Sequence, residues 1–358
     1  MKVLFLTRYD AKGASSRVRC LQYLPWLQAQ GMEVVQQGLL SDGYVVSLYE
    51  GRTPWREVAR CYARRFMFLM RRKEFDLIWI EKELFPFLPA QLETFLLRGM
   101  RYVIDMDDAI FHQYDQSRHR LIRGWLGQKI DTLMSTATLV VAGNSYLASR
   151  ARASGAPWVE RLPSVIDLRR YTSPALVQRH ASETPERAFR IVWIGSPATV
   201  HYLEQLRAPM VSLAQQRSIE FRVIGAPAPV WPGVSTRTIE WHADTEAQEI
   251  AQCDVGVMPL ENTPWEQGKC SFKLIQYMAC GLPVVASPVG MNVDVLSNGS
   301  IGILASTHDE WAKALEWMAS HATERSAMGN QGRRRAEERY CLEVTAPLLA
   351  DHLTKAAK

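Results

Sequence analysis

The sequence predicts an α/β protein with two similar domains, each a parallel sheet covered by helices on both faces. Short apolar runs alternate with helical patterns, and this alternation stops once and then restarts. The chain of 358 residues also exceeds the size at which a single hydrophobic core usually forms. The interruption, over residues 163–189, is polar and holds several prolines, so it is the predicted linker.

The first half opens with a strand, a glycine-bearing loop and a helix, the unit that begins a doubly wound sheet. The helical pattern runs from Val18 to Gln30 and ends at Gly31. Strands are predicted at five short apolar runs: KVLFLT, MEVV, FDLIWI, RYVIDM and ATLVVAG.

The second half repeats this alternation. Helices are predicted over about 200–216, near 245–252 and from residue 271 onward, and the chain ends in a charged helical stretch. The predicted strands are RIVWIG, FRVIG, CDVGVMPL, PVVAS and IGIL. Two such domains are expected to face each other across a cleft at the carboxyl ends of their strands, where open parallel sheets bind ligands.

The composition is that of a soluble globular protein, with 47% hydrophobic and 22% charged residues. The net charge of +5 permits nucleotides, lipid head groups or nucleic acid as partners and selects none of them. Six scattered cysteines without a C-x-x-C pair indicate reduced thiols in the cytoplasm. No apolar run reaches the ~18 residues of a membrane span, and MKVLFLT is expected to be a buried strand rather than a targeting signal.

The stretch GKCSFKLIQYMACG carries two lysines at a predicted helix start. Ser271 is expected to cap this helix, Gly281 to end it and Pro283 to block its continuation. Lys269 would lie in the entry loop and Lys273 in the first turn, beside the positive end of the helix dipole. Cations there are unfavourable unless an anion is bound, so the pair indicates a phosphate site, although ordinary surface lysines remain the alternative.

A glycine-bearing turn follows the strand RIVWIG. Gly195, Ser196 and Pro197 stand there, and backbone N–H groups in such a turn can approach a diphosphate closely. A plain turn at the end of a strand is the alternative interpretation.

The motif QYMACGLPVVASPVG resembles the signature of family-4 glycosyltransferases of the GT-B fold. SSRxR, DxDDAIF, GSPAT and GKCxFKxxQYMAxGxPVVxSPVGxN are similar to a bacterial branch that assembles surface polysaccharide and lipopolysaccharide. The resemblance implies an acceptor domain over residues 1–170 and a nucleotide-sugar domain over 171–340. It also implies that a final helix, over 341–358, packs back on the first domain.

The resemblance assigns donor-binding roles in the second half. The family's two glutamates correspond to Gly268 and Gln276; Gln276 can still hydrogen-bond a ribose hydroxyl, whereas a glycine has no side chain for sugar chemistry. Glu266 or Glu261 could substitute, or be exposed loop carboxylates. The remaining donor-side positions are Gly195, Ser196, Pro197, His201, Gly225, Asn292 and Asp294.

Two of these positions replace the family's phosphate-binding Arg and Lys. Ser196 and His201 stand there, so Lys269 and Lys273 are the expected replacements. His201 could also reach a phosphate, or be a residue on a helix surface.

The resemblance implies that the loop GASSRVR closes over the donor diphosphate and the acceptor. Gly13 is the expected donor contact, and the acceptor contacts are Ser15, Ser16, Arg17 and Arg19. For Arg17 and Arg19 a solvated helix face is the alternative.

The aspartates of IDMDDAIF follow a predicted buried strand, where their mutual repulsion must be offset by a partner. The family has His-Asp here, so Asp107 and Asp108 would bind hydroxyls of the acceptor or the donor sugar. A D-x-D metal site belongs to the other, one-domain glycosyltransferase fold, and no metal is expected. Glu83, in EKELFP at another strand end, is a further expected acceptor contact.

The segment Arg56–Lys73 holds seven basic residues against one Glu, with an apolar run near its end. Packing against the domain would account for the apolar residues. The basic face could lie on an anionic membrane, at about 1 kcal/mol per Lys or Arg. We therefore expect a cytoplasmic protein, peripheral on the inner face of the cytoplasmic membrane.

The function expected from the resemblance is transfer of a sugar from a nucleotide-activated donor to a saccharide or lipid-linked acceptor, with retention of configuration. Lys269, Lys273, Asp107 and Asp108 are the expected catalytic residues; no cofactor and no nucleic acid is implied. Two alternatives remain open. They are a nucleotide-sugar epimerase of the same fold and a non-catalytic nucleotide-sugar-binding subunit.

Overall fold

The computed structural model describes residues 1–49, 51–52, 54–171, 187–297 and 300–358. Most of the predicted linker, residues 172–186, lies outside the described residues. The described chain has two compact units. Unit 1 combines three segments, Met1–Val165, Gln267–Cys270 and Leu342–Lys358, and unit 2 combines Ile166–Glu266 with Ser271–Cys341. Each unit holds one six-stranded sheet, which confirms the predicted α/β class.

The sheet of unit 1 is parallel throughout and has the order β2-β1-β3-β4-β5-β6. All five predicted strands are present; the sixth, β6, was not predicted because it is short and half exposed. The strands are β1 Lys2–Tyr9, β2 Glu33–Leu40, β3 Leu77–Glu81, β4 Tyr102–Met106, β5 Leu139–Ala142 and β6 Val159–Arg161.

The helices of unit 1 bury apolar residues against this sheet, and the last of them comes from the end of the chain. Leu342, Leu349 and Leu353 are part of the same core as the strand residues Phe5 and Trp79. The α-helices are α1 Ala14–Arg19, α2 Leu24–Ala29, α3 Asp42–Tyr49, α4 Trp55–Leu69, α5 Ala90–Leu97, α6 His112–Asp115, α7 Arg120–Leu126, α8 Lys129–Thr136, α9 Ser145–Ala153 and the terminal helix Leu342–Ala356. Short 3₁₀ turns lie at Leu21–Tyr23 and Arg72–Glu74.

The sheet of unit 2 is also parallel, with the order β12-β11-β10-β7-β8-β9. Every predicted strand is found, whereas β9 was missed because most of its side chains are exposed and show no apolar pattern. The strands are β7 Phe189–Ile194, β8 Ile219–Ile224, β9 Ser235–Ile239, β10 Val255–Met258, β11 Val284–Ala286 and β12 Gly302–Leu304.

The helices of unit 2 follow the same alternation, and 3₁₀ segments lie at Leu168–Tyr171 and Pro197–Leu206. The α-helices are α10 Arg207–Gln216, α11 Glu246–Ala251, α12 Pro264–Gln267, α13 Phe272–Ala279, α14 Met291–Leu296, α15 His308–Ser320 and α16 Ala322–Arg339, and the terminal helix Leu342–Ala356 of unit 1 is α17. Among the described residues, no helix combines the length and apolarity needed to span a membrane.

Two predicted helices are shorter than their periodicity indicated. The pattern over Val18–Gln30 is divided into α1, a 3₁₀ turn and α2, because Pro25 lacks an N–H and is favoured in the first turn of a helix, where it begins α2. The pattern over 200–216 is divided in the same way, with a long 3₁₀ segment before α10.

Strand order reverses next to β1 in unit 1 and next to β7 in unit 2. In unit 1 the chain moves from β1 to β2 on one side and then to β3 on the other; in unit 2 it moves from β7 through β9 and then to β10. Open parallel sheets bind ligands at the carboxyl ends of strands at such a reversal. Ligand-binding residues are therefore expected after β1, β3, β7 and β10.

Candidate functional site

The loop after β1 folds tightly and turns Ser16 inward. A Cβ on Gly13 would lie 2.4 Å from Cβ of Tyr9, so the close approach of this turn requires glycine. The Ser16 hydroxyl is fully buried and donates to Glu81 Oε2 over 2.6 Å. Its Oγ also accepts from the Tyr9 N–H over 3.0 Å. Gly13 and Ser16 thus fix the loop, while the neighbouring Ser15 reaches the groups described next.

Ser15, Lys82 and Asp107 form a compact hydrogen-bonded group at the carboxyl ends of β3 and β4. The Ser15 hydroxyl donates to Asp107 Oδ2 over 2.5 Å, and Lys82 Nζ donates to Ser15 Oγ over 3.1 Å. Lys82 Nζ also lies 3.0 Å from Asp107 Oδ1. Lys82 has a φ of 66°, in the left-handed region that non-glycine residues rarely adopt. Such strain concentrates at functional sites.

Mutual stabilisation keeps this pair charged despite its burial. Burial alone would raise the pKa of Asp107, but the charges of Lys82 and Arg19 and the Ser15 hydrogen bond hold it below its ordinary value. For Lys82, burial works toward a lower pKa, and the nearby carboxylates of Asp107 and Glu81 outweigh it and raise the pKa. Sequence reasoning missed Lys82. The available signal was its position directly after a buried strand beside the predicted Glu83.

Arg19 is held in a buried ion pair with Asp105. Its Nε and Nη2 donate to the two carboxylate oxygens over 3.0 and 2.5 Å, and Nη1 donates to the Leu162 carbonyl over 2.8 Å. Burial raises the pKa of Asp105 to about 6, and the charge of Arg19 opposes that rise. With 2% exposure Arg19 does not form a solvated face, which corrects that alternative. The half-buried Arg17 donates to the Ala11 carbonyl over 3.1 Å.

Asp108 contacts Lys269, which lies in the segment Gln267–Cys270 of unit 1. Lys269 Nζ donates to Asp108 Oδ1 over 3.1 Å, and both side chains are partly exposed. The Asn144 amide holds the segment by donating to the carbonyls of Gln267 and Lys269, each over 3.0 Å. Gly268 leaves no room for a side chain, because a Cβ there would lie 2.5 Å from Cβ of Ala109.

Glu83 is buried in a charged network. Its carboxylate accepts from Lys129 Nζ over 2.6 Å and from the Tyr114 hydroxyl over 2.8 Å, and Arg8 lies 3.4 Å away. Lys129 also lies 2.8 Å from Glu93, a second buried carboxylate. These contacts use the oxygens of Glu83 within the protein, so its expected role as an acceptor contact gains no support.

The entry to α13 differs from the predicted cap. Ser271 has a φ of 51° and makes no capping hydrogen bond, so the prediction that it caps the helix is wrong. Its hydroxyl instead donates to Asn292 Oδ1 over 2.7 Å, and Asn292 Nδ2 donates to the Ser287 carbonyl over 3.0 Å. Asn292 is fully buried and holds this unusual helix start in place. Gly281, with a φ of 68°, ends the helix as predicted.

Lys273 lies beside the glycine-bearing turn that follows β7. Its Nζ is 5.2 Å from the centroid of the Trp193 ring, a cation–π distance. The Trp193 indole lies under Gly195, where a Cβ would approach it to 2.4 Å. Gly225, at the end of β8, has a φ of 84° and a Cβ position only 2.5 Å from the Gly195 carbonyl oxygen. Lys273 and the Gly195 turn thus share the carboxyl edge at the strand-order reversal of unit 2.

Gln276 belongs to a hydrogen-bonded network of buried polar side chains that was not predicted from the sequence. Its amide donates to the Tyr171 hydroxyl over 3.1 Å, and that hydroxyl donates to Glu246 Oε1 over 3.0 Å. Trp241 Nε1 donates to Glu246 Oε2 over 2.6 Å. Burial raises the pKa of Tyr171 well above its ordinary value, so this phenol stays protonated. These partners lie far from Gln276 in sequence.

The remaining predicted donor residues occupy mixed positions. Ser196 is half-buried, and its carbonyl oxygen accepts from the Thr199 N–H over 2.9 Å; Pro197 begins the 3₁₀ segment. His201 is exposed, and its ring packs at a tilt against Tyr202 with ring centroids 4.1 Å apart; Asp294 is exposed on α14.

Glu266 is not an exposed loop carboxylate. It is 6% exposed and accepts hydrogen bonds from the hydroxyls of Tyr202 and Thr263, which corrects that alternative. Glu261 is exposed, as that alternative predicted for it. Within the described ranges, no group of three or more His, Cys, Asp or Glu side chains is arranged to hold a metal ion.

Solved structures share this architecture along the full chain. Sucrose-phosphate synthase from Thermosynechococcus elongatus is similar with a TM-score of 0.72 and 13% identity, over 99% of this chain and 98% of that one. Anabaena Alr3699/HepE in complex with UDP-glucose is similar with a TM-score of 0.69 and 17% identity, over 99% of this chain and 100% of that one. The fold is the GT-B fold. At these identities the likeness establishes the fold alone.

Sequence comparison adds a family match in unit 2. Residues 188–321 match the family model described as "Glycosyl transferases group 1". A D-inositol 3-phosphate glycosyltransferase of Rhodococcus erythropolis is 36% identical over 85 residues, which are 23% of this chain. The chain spans 19% of the length of that curated relative. Together with the GT-B neighbours, these matches support a glycosyltransferase family.

Proposed function

We propose that the protein transfers a sugar from a nucleotide-activated donor to a saccharide or lipid-linked acceptor in bacterial surface-polysaccharide assembly, with retention of configuration. The observation that carries this proposal is Lys273 beside the Gly195 turn, at the strand-order reversal of unit 2. Both residues lie within 188–321, which matches the group 1 glycosyltransferase model. A neighbour of the same fold was solved with UDP-glucose, which supports a nucleotide sugar as the donor.

The proposed step needs cations more than a protein nucleophile. The bond between sugar C1 and the diphosphate oxygen breaks, the acceptor oxygen bonds to C1 on the same face, and the acceptor proton passes to the leaving phosphate. Negative charge grows on the diphosphate as that bond breaks. A preorganised ammonium and backbone N–H groups stabilise such charge. Lys273 and the Gly195 turn would supply them, and Lys269 would contribute less because it already contacts Asp108.

Donor binding tests this assignment without knowledge of the acceptor. A thermal-shift screen over nucleotide sugars selects a donor, since a ligand of the native state raises the melting temperature. For that donor, calorimetry should show Lys273→Ala binding about 10- to 150-fold more weakly, the loss of a charge-assisted hydrogen bond. Lys269→Ala should lose less. The control is Lys313→Ala, because Lys313 and its partner Asp309 are both mostly exposed on α15. Unchanged affinity in Lys273→Ala would refute the phosphate assignment.

A transfer assay separates the proposed enzyme from its alternatives. NMR of the product should show the anomeric configuration of the donor. Turnover of donor without acceptor would indicate an epimerase, and binding without any turnover would indicate a non-catalytic subunit. We expect Asp107→Asn to slow transfer while donor affinity changes little, because Asp107 lies in unit 1 and Lys273 in unit 2. Wild-type transfer rates in Asp107→Asn would remove it from the site.

We also propose that the protein is peripheral on an anionic membrane through α4 and the residues that follow it. Exposed basic and apolar side chains coexist there: Arg56, Arg60, Lys73, Trp55, Phe66, Met67 and Met70. The expectation that the domain buries the apolar run is wrong for Phe66, Met67 and Met70. Arg65 does not take part, because it is fully buried and donates to the Thr7 carbonyl over 2.6 Å. Charge reversal at Arg56 and Arg60 therefore tests this surface without disturbing the core.

A further inference from the structure

The most exposed apolar side chains of unit 1 lie on α7, in a part of the chain that the proposed chemistry does not use. Leu121 is 85% exposed and Trp125 is 84% exposed. Among the described large apolar residues, only Val230 in unit 2 is more exposed. We call Arg118–Trp125 the α7 surface.

The helical geometry places the two side chains together. Residues four apart stand on the same face of a helix, so Leu121 and Trp125 form one outward stripe. The helix is held from its other side by Leu126, which is 6% exposed. Arg123 Nη1 also donates to the Ser117 carbonyl and ties the helix to the preceding turn. The stripe is therefore displayed by an ordered helix.

The charges around the stripe have one sign. Arg118, Arg120 and Arg123 are all exposed, and no Asp or Glu occurs from Gln116 to Ile130. An apolar stripe flanked by arginines is complementary to a surface that offers both anions and hydrocarbon. Tryptophan and arginine both suit the boundary between lipid head groups and acyl chains, since each combines an apolar body with a polar end.

A further exposed aromatic residue packs on α6, the helix that precedes α7. Phe87, in the loop after β3, is 52% exposed and has a φ of 61°. Its ring packs edge-on against Tyr114 of α6 with centroids 5.6 Å apart, and α6 immediately precedes α7 in the chain. A strained backbone conformation thus holds an aromatic ring partly in solvent, packed on the helix that precedes α7.

We infer that the α7 surface docks unit 1 on an anionic lipid bilayer, with Leu121 and Trp125 entering the head-group boundary and the arginines contacting lipid phosphates. This inference concerns the acceptor of the proposed transfer reaction, and in that respect it rests on the proposed function. The chain reaches α7 from the carboxyl end of β4, where Asp107 and Asp108 stand. Docking here would bring that edge of unit 1 to the membrane and favours a lipid-linked acceptor over a soluble saccharide.

Vesicle flotation of the full chain tests the inference. We expect binding to vesicles that contain phosphatidylglycerol and little binding to pure phosphatidylcholine, with a loss at high salt because exposed charges are screened. Leu121→Ser/Trp125→Ser should lower partitioning about tenfold or more, since burial of apolar area drives it. Arg118→Gln/Arg120→Gln/Arg123→Gln should remove the preference for anionic lipid. Val230→Ser is the control, because Val230 is an even more exposed apolar residue of unit 2, and this variant should float like wild type.

Three results would overturn the inference. Wild-type flotation of Leu121→Ser/Trp125→Ser is the first, and loss of binding only when Arg56 and Arg60 are reversed is the second. The third is a dimer in gel filtration that the double variant abolishes, which would make the α7 surface a protein interface. Far-ultraviolet circular dichroism and melting temperature confirm that each variant is folded. Donor calorimetry without lipid tests the transferase proposal separately, so a failure of membrane docking is distinguishable from a failure of the proposed function.

Discussion

At the residue scale, the group formed by Ser15, Lys82 and Asp107 carries the most information. Removing a carboxylate and an ammonium largely from water is costly for each, and their contact with each other offsets that cost. Asp107 was predicted because three aspartates after a strand need a partner, and Lys82 is that partner. This partner was not predicted, since a lysine after a strand is ordinarily a solvated residue.

We predict that Lys82→Met destabilises the protein by about 3–5 kcal/mol, because it leaves the mostly buried Asp107 carboxylate without the ammonium that contacts it. Urea unfolding should show this loss, and Lys82→Met/Asp107→Asn should recover part of it. The surface pair of Lys2 and Glu33, with side chains 34% and 65% exposed, supplies the control. Lys2→Met should cost about 0–1 kcal/mol.

The pH dependence of this effect has a defined sign. The pKa of Asp107 is lowered in the folded protein, so its contribution is present above the unfolded pKa and is lost as pH falls through the folded one. The penalty of Lys82→Met should therefore shrink in acid as Asp107 is protonated. A penalty that stays constant down to the acid unfolding transition would contradict the ion pair as its cause.

At the scale of single elements, the loop after β3 is held by a buried charged network. Glu93 of α5 accepts from the backbone N–H groups of Leu84 and Phe85 over 2.8 and 3.1 Å. Lys129 of α8 donates to the Phe85 carbonyl over 2.6 Å. The same loop begins with Lys82, so the network fixes the element that presents Lys82 to Asp107. We infer that this network defines the geometry of the loop, since the desolvation of buried ions can cancel their gain in stability.

The network gives a pH-dependent prediction. Burial raises the pKa of Glu93 to about 7, against the opposing charge of Lys129. A carboxyl group whose pKa is higher in the folded than in the unfolded state stabilises the folded protein at pH values below its unfolded pKa. That stabilisation is lost as the pH rises toward about 7. We therefore expect Glu93→Gln to flatten the decline of unfolding free energy between about pH 4.5 and 7.

Denaturation curves at several pH values check the Glu93 prediction. In Glu93→Gln the unfolding free energy should still decline with rising pH, but less steeply, because Asp105 keeps a pKa that is raised to about 6. Glu33→Gln is the control, because the Glu33 side chain is 65% exposed, and it should leave the slope unchanged. An unaltered slope in Glu93→Gln would show that Glu93 is ionised throughout this range.

The start of α13 shows where element-scale reasoning is insufficient. The serine before this helix has the composition of a cap, yet its φ of 51° turns the hydroxyl to Asn292. Capping preferences assume an extended N-cap residue. Whether a residue adopts that conformation is decided by its neighbours, here the buried Asn292 of another helix.

At the scale of the whole molecule, the chain does not divide into two continuous halves. Unit 1 contains the four-residue segment Gln267–Cys270 and the terminal helix, both from late in the sequence. The Asn144 amide holds the segment while its Oδ1 accepts from the Leu147 N–H over 2.9 Å and caps α9. The Asn144 side chain thus caps α9 directly after β5 and also holds a segment that is distant in sequence.

Asn144→Asp separates these tasks, because aspartate keeps the capping oxygen and loses both amide donors. We expect hydrogen exchange in a peptide covering 267–270 to quicken about tenfold or more, while exchange in α9 stays near wild type. Asn330→Asp, at an exposed position of α16, is the matched control and should change neither. If exchange in 267–270 is unchanged, the amide does not hold the segment.

The sequence by itself determined the alternation of strands and helices and the α/β class. It also determined the chain turns at Gly195, Gly225 and Gly281, which follow two strands and a helix. These features follow from local periodicity and backbone conformation, which nearby residues dictate. Only the tertiary structure decided that Lys82 contacts Asp107. It also decided that Arg19 and Glu83 form ion pairs with buried partners. The assignment of Lys269 and Lys273 to different units is likewise a tertiary feature. Such pairings join residues far apart in the chain, and their energy depends on burial, which no local pattern encodes.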